Sequence, residues 1–451
     1  MPAFPRAAAG KPLGRIVRLS AAFLASNVTR GAIAFALSLV AGRALGIERF
    51  GRWVLCTTWA STLTVAVDLG FGLLLTRDAA RECGNAGVRC GSAIAARLAL
   101  AVPAAMMIAV MAARFASDAE TVAGLRAGAL LGIAGAVYGC VGSTYRSRPR
   151  WVPAILILET SWTLVQLALS WIVLHRSPSN GILWMLIVAT GVQLAEAGSA
   201  LVLWPFAFAG DPIRIAPWPE LRALVRRALP FAVTGIVANL QTRVAPLMLG
   251  YLSTQSELGS FAAASRFATT ARLAPSAVSA GALPVLSKEY SDDPAAGRAA
   301  YASFHRAMVA LAAVAAVPCL VFAPLLLRAI YGPPFVRAAP ALIWIGIGLL
   351  PALTNSAKKI VLYASGGERA VVRWSGVALV IQVVTAFALI PRFGSVGAAA
   401  SLAIGEAAIW WPLRDRVART EQRSNPRREP SSTLAPGQRA VADVPDPAAA
   451  R

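Results

Sequence analysis

The strongest constraint on this 451-residue chain is a series of long apolar segments separated by short loops. Each segment has about 20 residues, the length an α-helix needs to cross roughly 30 Å of hydrocarbon. Only 14% of the residues are charged, against about 25% in soluble domains, and 57% are hydrophobic. The sequence therefore predicts an all-α polytopic membrane protein. We place twelve spans at residues 21–42, 53–76, 92–113, 120–143, 151–174, 182–208, 228–251, 258–287, 307–327, 338–357, 374–391 and 395–413.

Basic residues are concentrated at the start of the chain and in every second loop. The alternate loops carry these groups: Arg77, Arg81 and Arg89; Arg146, Arg148 and Arg150; Arg222, Arg226 and Arg227; Lys358, Lys359, Arg369 and Arg373. Cytoplasmic loops of membrane proteins are enriched in Lys and Arg. We therefore expect both termini to be cytoplasmic, which requires an even number of spans.

The net charge of +22 does not indicate nucleic-acid binding, because the basic residues are spread over loops beside apolar spans. There they set topology and contact anionic lipid head groups. The chain has no Walker A motif, no Asp-x-Asp motif and no large extracytoplasmic loop that would hold an active site. We therefore expect no enzymatic activity. The five cysteines are interpreted as reduced thiols, and no cofactor or metal is expected.

The spans divide into two halves. Gly42 and Gly51 flank the loop between the first two spans, and Gly250 and Gly259 repeat this spacing between the seventh and eighth. Repeats of this kind build transporters from two similar bundles. We predict two six-helix bundles related by pseudo-two-fold symmetry, in this division: a cytoplasmic N-terminal segment at 1–20, the first bundle at 21–208, a cytoplasmic linker with a short interfacial helix at 209–227, the second bundle at 228–414, and a disordered basic tail at 415–451.

Several polar side chains lie inside the predicted spans, where a charge costs about 2.5–3.5 kcal/mol on insertion scales. Arg243, Arg266 and Arg272 lie in the seventh and eighth spans, which contain no acid. A shared cavity with an anionic ligand would balance them, because guanidinium groups match phosphate oxygens. The alternative is pairing with Glu159, Glu196 or lipid head groups. Arg97 is close enough to a span end to reach the head groups.

These considerations give two groups of candidate residues. The substrate-binding group of a cationic cavity comprises Arg30, Asn239, Gln241, Arg243, Arg266 and Arg272. The group with an ion-coupling or gating role comprises Asp68, Glu159 and Glu196.

Two stretches resemble the polysaccharide repeat-unit flippases, the Wzx-type branch of the multidrug/oligosaccharidyl-lipid/polysaccharide (MOP) exporter superfamily. They are residues 41–81, AGRALGIERFGRWVLCTTWASTLTVAVDLGFGLLLTRDAAR, and residues 229–290, which begin LPFAVTGIVANLQTRVAPLMLG. Asp68 and Arg77 match the family pattern at the end of the second span. Family members often carry an acid two residues after the arginine of the seventh span. Here Arg243 is followed by Val244 and then Ala245, so the family's ion-coupling role cannot be assigned to that position.

The resemblance implies a function in the bacterial plasma membrane. Family members move undecaprenyl-pyrophosphate-linked oligosaccharides to the outer leaflet for O-antigen lipopolysaccharide, capsule or exopolysaccharide. Alternating access through a cationic central cavity, coupled to protons, sodium ions or membrane potential, is the expected mechanism. The expected partners are this cargo, membrane lipids, and the polysaccharide polymerase and assembly proteins, with no nucleic acid.

Two other functions stay open at this point. A drug or small-metabolite exporter of the same superfamily would fit the spans, although the first span contains no acid. An integral-membrane glycosyltransferase or polymerase would need a catalytic loop that the sequence does not contain.

Overall fold

The computed structural model describes residues 12–72, 74–76, 85–116, 118–208, 211–292 and 294–423. All regular structure in these residues is helical, which confirms the predicted all-α class. The α-helices are α1 Pro12–Ala66, α2 Ala86–Phe115, α3 Ala119–Arg146, α4 Val152–Arg176, α5 Gly181–Ala207, α6 Trp218–Leu252, α7 Gln255–Ala271, α8 Leu273–Asp292, α9 Pro294–Val321, α10 Ala323–Ile330, α11 Ala339–Ala364, α12 Glu368–Ala408 and α13 Trp410–Arg423. Two 3-10 helices, Pro178–Asn180 and Pro333–Ala338, lie between them.

Eight helical stretches of the described chain are long and apolar enough to cross a membrane. One of them, Ala21–Ala66, contains the first predicted span and the beginning of the second, and another, Glu368–Arg419, contains the last two. The seventh and eighth predicted spans are also helical, but polar residues such as Arg243 and Arg266 make them less apolar. The chain is therefore a multi-pass membrane protein, and a helix occupies each of the twelve predicted spans.

Glycines allow the sharp bends inside α1 and α12. Gly46 (φ 72°) and Gly394 (φ 53°) have a left-handed backbone that residues with a Cβ atom rarely adopt. Each bend joins two predicted spans without a separate loop. The second span then ends early, because Leu69 (φ 45°) and Gly70 (φ 78°) form a turn after Ala66. Predicted span 53–76 is therefore a helix to Ala66 and a turn at 67–70, after which residues 71–72 and 74–76 are helical again.

The predicted eighth span, 258–287, is also two helices, which meet at Arg272. Pro275 lacks the N–H group that would bond to the carbonyl of Ala271, so the helix is interrupted there. The predicted separate helix of the linker is not found, since residues from Trp218 onward form the first turns of α6.

The beginning of the predicted tail, 415–451, is helical rather than disordered. Helix α13 continues to Arg423 because Val417 is buried against the second half and Arg419 pairs with Asp415 at 2.8 Å. Residues 1–11 and 424–451 lie outside the described residues.

The helices form two bundles that share a core at one end only. Apart from a seam between α1 and α7, helices α1–α5 pack mainly with one another, and so do α6–α13. Near the bends of α1 and α12, both halves contribute to one hydrophobic cluster that includes Phe50 and Phe261. At the opposite end each half has its own cluster, around Tyr145 and around Phe304. We call these the closed end and the divided end.

Helix α6 belongs to both bundles. Leu224 and Ala228, near its beginning, are buried in the divided-end cluster of the first half. The preceding linker is fixed to the same half, because Gly87 N–H donates to Asp211 Oδ2 at 3.0 Å. Farther along α6, the carbonyl of Gln241 accepts a hydrogen bond from α12. This helix therefore connects the two halves mechanically.

The seam between α1 and α7 consists of glycines from the predicted repeat. A Cβ atom on Gly51 would lie 1.9 Å from the carbonyl oxygen of Gln255, and one on Gly259 would lie 1.9 Å from that of Ile47. Only glycine permits such an approach of two backbones. The glycine spacing seen in the sequence thus corresponds to direct contact between the halves at the closed end.

In each half, a side chain next to the glycine seam also holds the connection between the last two predicted spans of that half. In the first half, Arg49 donates to the carbonyls of Pro178 and Ser179 at 2.7 and 2.8 Å. At the equivalent position of the second glycine pair, Glu257 accepts from the N–H and the Oγ of Ser395 at 2.8 and 2.5 Å. The two halves therefore use opposite charges for the same mechanical role.

Candidate substrate cavities

A polar cavity of about 450 Å³ lies in the first half between α1, α4 and α5. Its polar lining consists of Asn27, Arg30, Thr163, Gln166, Gln193 and Glu196. Polar groups at membrane depth normally face a partner or a water-filled cavity. Two of the predicted residues, Arg30 and Glu196, therefore meet at this cavity.

Arg30 is tied to a buried carboxylate behind the cavity. Its Nη1 atom lies 2.6 Å from Glu159 Oε2, while Arg146 and Tyr138 donate to Glu159 Oε1 at 2.6 and 2.7 Å. Glu159 has no exposed surface, so these donors replace the water it has lost. The predicted pairing with Glu159 thus occurs, but with Arg30 and Arg146 instead of the arginines of the seventh and eighth spans.

Glu196 is the second acid of this region and is poorly satisfied. It is only 6% exposed, and the Nε2 atom of Gln193 lies 3.4 Å from its Oε2 atom. Its Oε1 atom has no hydrogen-bond partner among the described residues. Buried carboxylate oxygens are seldom left in this state. Glu196 is also one of the residues that line the cavity, so its carboxylate lies beside the space a ligand would fill.

A second cavity, of about 320 Å³, adjoins the first. The two share Gln166 and Gln193, and Arg243 reaches the second one from α6. The Nε atom of Arg243 is buried without a hydrogen-bond partner in the described part of the chain. The adjoining cavities therefore carry an incompletely paired acid on one side and an incompletely paired base on the other.

The second half has its own cavity, of about 320 Å³. Arg272 and Lys359 line it together with Glu406 and hydroxyl groups that include Ser276 and Ser356. The side chain of Arg272 is exposed, as expected for a residue at an open cavity. Two basic groups against one acidic group favour an anionic ligand.

The structure separates the three arginines that the sequence groups together. Arg243 lines a cavity of the first half, and Arg272 lines that of the second. Arg266 lines none of the three cavities. Six residues along a helix rotate a side chain by about 240°, so Arg266 and Arg272 point in different directions. The expected single cavity shared by all three is therefore not found among the described residues.

The two predicted amides have structural contacts. Gln241 lines the second-half cavity, and its Nε2 atom donates to the carbonyl of Ser375 at 3.3 Å. The carbonyl of Asn239 accepts from Thr242 Oγ1 at 2.8 Å, and Asn239 lines none of the three cavities. Of the two, Gln241 is the one that lines one of these three cavities.

Asp68 lies in the turn that follows α1 and pairs with a residue that sequence reasoning placed elsewhere. Arg97 Nη1 lies 3.2 Å from Asp68 Oδ1, and Gly72 N–H donates to the same oxygen at 3.3 Å. Arg97 was expected to reach the head groups, but it is only 2% exposed because this acid draws it inward. Arg77, which the family pattern pairs with Asp68, lies outside the described residues.

Lys358 is a buried cation, although its position just after a predicted span places it among the basic loop residues. Its Nζ atom donates to the carbonyl of Trp410 at 3.1 Å and lies 4.1 Å from the centre of that ring. Asn355 links it to Glu406, whose Oε2 atom is 3.0 Å from the amide nitrogen. The available signal was the spacing of Asn355 and Lys358, which places both on one face of a helix.

Comparison with known families decides the assignment of this membrane protein. The family described as polysaccharide biosynthesis protein matches residues 17–289, more than half of the chain. The chain belongs to this family. A search of curated proteins finds no match.

Solved structures of MOP transporters have the same fold as this family member. A multidrug resistance MATE family transporter in an inward-facing conformation superimposes with a TM-score of 0.69 at 12% identity, over 88% of this chain and 96% of that one. Lipid II flippase MurJ, in an inward closed conformation, gives 0.65 at 12% identity over 90% of both chains. A MOP superfamily transporter from Pyrococcus furiosus gives 0.56 at 14% identity, over 91% and 97%.

The chain thus belongs to a polysaccharide biosynthesis family and has the fold of MOP transporters, as the resemblance in the sequence predicts. An outward-facing MATE structure gives a TM-score of only 0.55, so this polysaccharide family member is more similar to the inward-facing form. That similarity agrees with its one closed and one divided end.

Proposed function

We propose that the protein moves undecaprenyl-pyrophosphate-linked oligosaccharide repeat units across the bacterial plasma membrane by alternating access. Its family supports a role in surface polysaccharide synthesis. Its fold is shared with a protein described as a lipid II flippase, for which a lipid-linked cargo is implied by name. The fold is also shared with multidrug transporters, so the nature of the cargo rests on the chemistry of the cavities.

The observation that carries the proposal is the presence of polar, partly basic cavities in both halves of a molecule closed at one end. Transporters built from repeats bind substrate between the halves, near the middle of the membrane. The proposed cargo has a hydroxyl-rich head and an anionic pyrophosphate, whereas its lipid tail stays in the bilayer. Amide side chains can form hydrogen bonds with the hydroxyl groups of the head, and guanidinium groups can bind the pyrophosphate.

Arg243 and Arg272 are the proposed pyrophosphate ligands, because both line cavities and neither forms an ion pair within the described residues. Arg30, Asn239, Gln241 and Arg266 stay predicted contributors to the same cationic region. The ion-coupling or gating role of Asp68, Glu159 and Glu196 also stays a prediction. The first two acids hold ion pairs in this conformation.

We place both termini in the cytoplasm because of the basic residues in alternate loops. The divided end then faces the cytoplasm, and the closed end faces outward. In this orientation the conformation is the one that receives cargo from the cytoplasmic leaflet.

Deletion of the gene, followed by fractionation of undecaprenyl-linked glycans, tests the proposal. A complete repeat unit should accumulate on the cytoplasmic leaflet while surface polysaccharide is lost. Complementation with the wild-type gene should reverse both effects. The flippase proposal would be wrong if surface polysaccharide stayed intact, no repeat unit accumulated, and the protein conferred drug efflux on a sensitive host. These results would favour the exporter alternative.

A further inference from the structure

The large cavity of the first half is polar but has no excess of either charge. Arg30 and Arg146 are matched by Glu159 and Glu196, so the four formal charges cancel. The rest of the polar lining is neutral and consists of Asn27, Thr163, Gln166 and Gln193. A cavity with this lining favours a ligand that is rich in hydrogen-bonding groups and uncharged.

Glu196 identifies the missing group more closely. Its Oε1 atom is buried without a hydrogen-bond partner among the described residues, and carboxylate oxygens are hydrogen-bond acceptors. A phosphate group also presents acceptors and would be repelled by the acid. A sugar hydroxyl donates to the carboxylate and accepts from a neighbouring amide such as Gln193, so it satisfies both.

Arg243 indicates how the cargo would be oriented across the two adjoining cavities. It lines the adjoining cavity, which shares the Gln166 and Gln193 wall, and its Nε atom has no hydrogen-bond partner within the described part of the chain. A guanidinium group binds phosphate oxygens through a planar pair of donors. The two adjoining cavities therefore present an acceptor for hydroxyl groups on one side and a donor for an anion on the other.

We infer that the first-half cavity is the sugar subsite of the proposed cargo, with the Glu196 carboxylate accepting a hydrogen bond from a hydroxyl of an uncharged sugar. The pyrophosphate end of the same molecule points toward Arg243. This assignment rests on the proposed flippase function. It also sets a specificity rule, because a uronic acid at this position would place a second carboxylate beside Glu196, whereas a neutral hexose would not.

Binding to protein in lipid nanodiscs tests the inference with two probes. One is undecaprenyl pyrophosphate without sugar, and the other is the lipid-linked glycan pool extracted from a strain that lacks this gene. Wild-type protein should bind the glycan form more tightly, as measured by intrinsic tryptophan fluorescence. Glu196→Gln should weaken glycan binding about tenfold, and Glu196→Ala should weaken it further, without change for undecaprenyl pyrophosphate. Arg243→Gln should weaken binding of both probes.

Glu220→Gln is the matched control, since Glu220 is exposed at the beginning of α6. Equal loss of both probes in the Glu196 variants, or no loss of either, would overturn the sugar subsite while leaving the flippase proposal intact. Unchanged binding combined with lost transport would also overturn it, in favour of ion coupling. Failure of the wild-type protein to bind either probe would instead contradict the proposed function.

Discussion

A Cβ atom on Gly51 would lie 2.8 Å from the backbone nitrogen of Gly259, so the backbones of the two halves touch at the closed end. Nearby, Ser38 and Tyr331 share a hydrogen bond of 3.1 Å, and Arg43 donates to carbonyls of α10. All these contacts must separate if the closed end opens during transport. The glycine contact therefore makes the conformational equilibrium sensitive to very small substitutions.

Gly259→Ala should shift the equilibrium toward a state open at this end. The new Cβ atom would meet the backbone carbonyl of Ile47, which cannot rotate away as a side chain would. Overpacking of this kind costs about 1–3 kcal/mol, which is roughly 5- to 150-fold in the ratio of closed to open molecules. A cysteine introduced at Leu55, which is buried at the seam, should react faster with maleimide in this variant.

Gly198→Ala provides the control for that experiment. A Cβ atom on Gly198 would have no neighbour within 4 Å, so the substitution adds the same methyl group without a clash. Equal labelling rates in the two alanine variants would show that the glycine seam does not govern opening.

Glu159→Gln should reduce the yield of folded protein, and Glu196→Gln should not. The first change leaves Arg30 and Arg146 without their buried counterion, and breaking a buried ion pair in this way costs about 3–5 kcal/mol. The second removes no ion pair. Fluorescence-detected size-exclusion chromatography of extracted membranes measures both, and similar profiles for the two variants would contradict the assigned structural role of Glu159.

Arg272→Ala should impair transport at a normal protein level. The exposed guanidinium lines the second-half cavity, and loss of one charged hydrogen-bonding group costs about 1.5–3 kcal/mol, roughly 10- to 150-fold in affinity. Surface polysaccharide and protein level are measured in the same cells. Arg306→Ala is the control, because this exposed arginine bonds only to Ser303 of its own helix within the described residues and lines none of the three cavities. Equal polysaccharide in both variants would argue against an anion site at Arg272.

Glu257→Ala should lower the melting temperature in detergent more than Glu48→Ala does. Glu257 satisfies the N–H and hydroxyl of Ser395, and leaving such groups unpaired costs about 1–3 kcal/mol. Glu48 is mostly exposed and forms an i,i+4 pair with Arg52, worth about 0.3–0.5 kcal/mol. A larger loss for Glu48→Ala would show that Glu257 does not stabilise the closed end.

Much of the fold follows from the sequence because membrane helices are defined locally. Apolar length locates the spans, since each helix must satisfy its backbone groups within the bilayer. The glycine spacing around Gly51 and Gly259 predicts the repeat because close backbone contact requires these residues. Pro275 lies where the eighth span breaks, so even that interruption has a local signal.

The pairing of charged groups was not predictable in the same way. Arg30 and Glu159 are far apart in sequence, and their contact depends on the rotation of two helices about their axes. The same rotation separates Arg266 from Arg272 and brings Arg97 to Asp68. Sequence reasoning selected most of these residues as unusual because of their depth, but depth gives no information about which residues face one another.

The opposite charges of Arg49 and Glu257 have a mechanical consequence. Each residue fixes a connection within its own half, so both sets of bonds persist when the halves move apart as rigid bodies. Among the described residues, no ion pair joins α1–α5 to α6–α13. Opening then breaks dispersion contacts and hydrogen bonds, including those that the Arg43 guanidinium donates to two carbonyls of α10, but none of these ion pairs. We therefore expect the rate of the conformational step to depend only weakly on ionic strength.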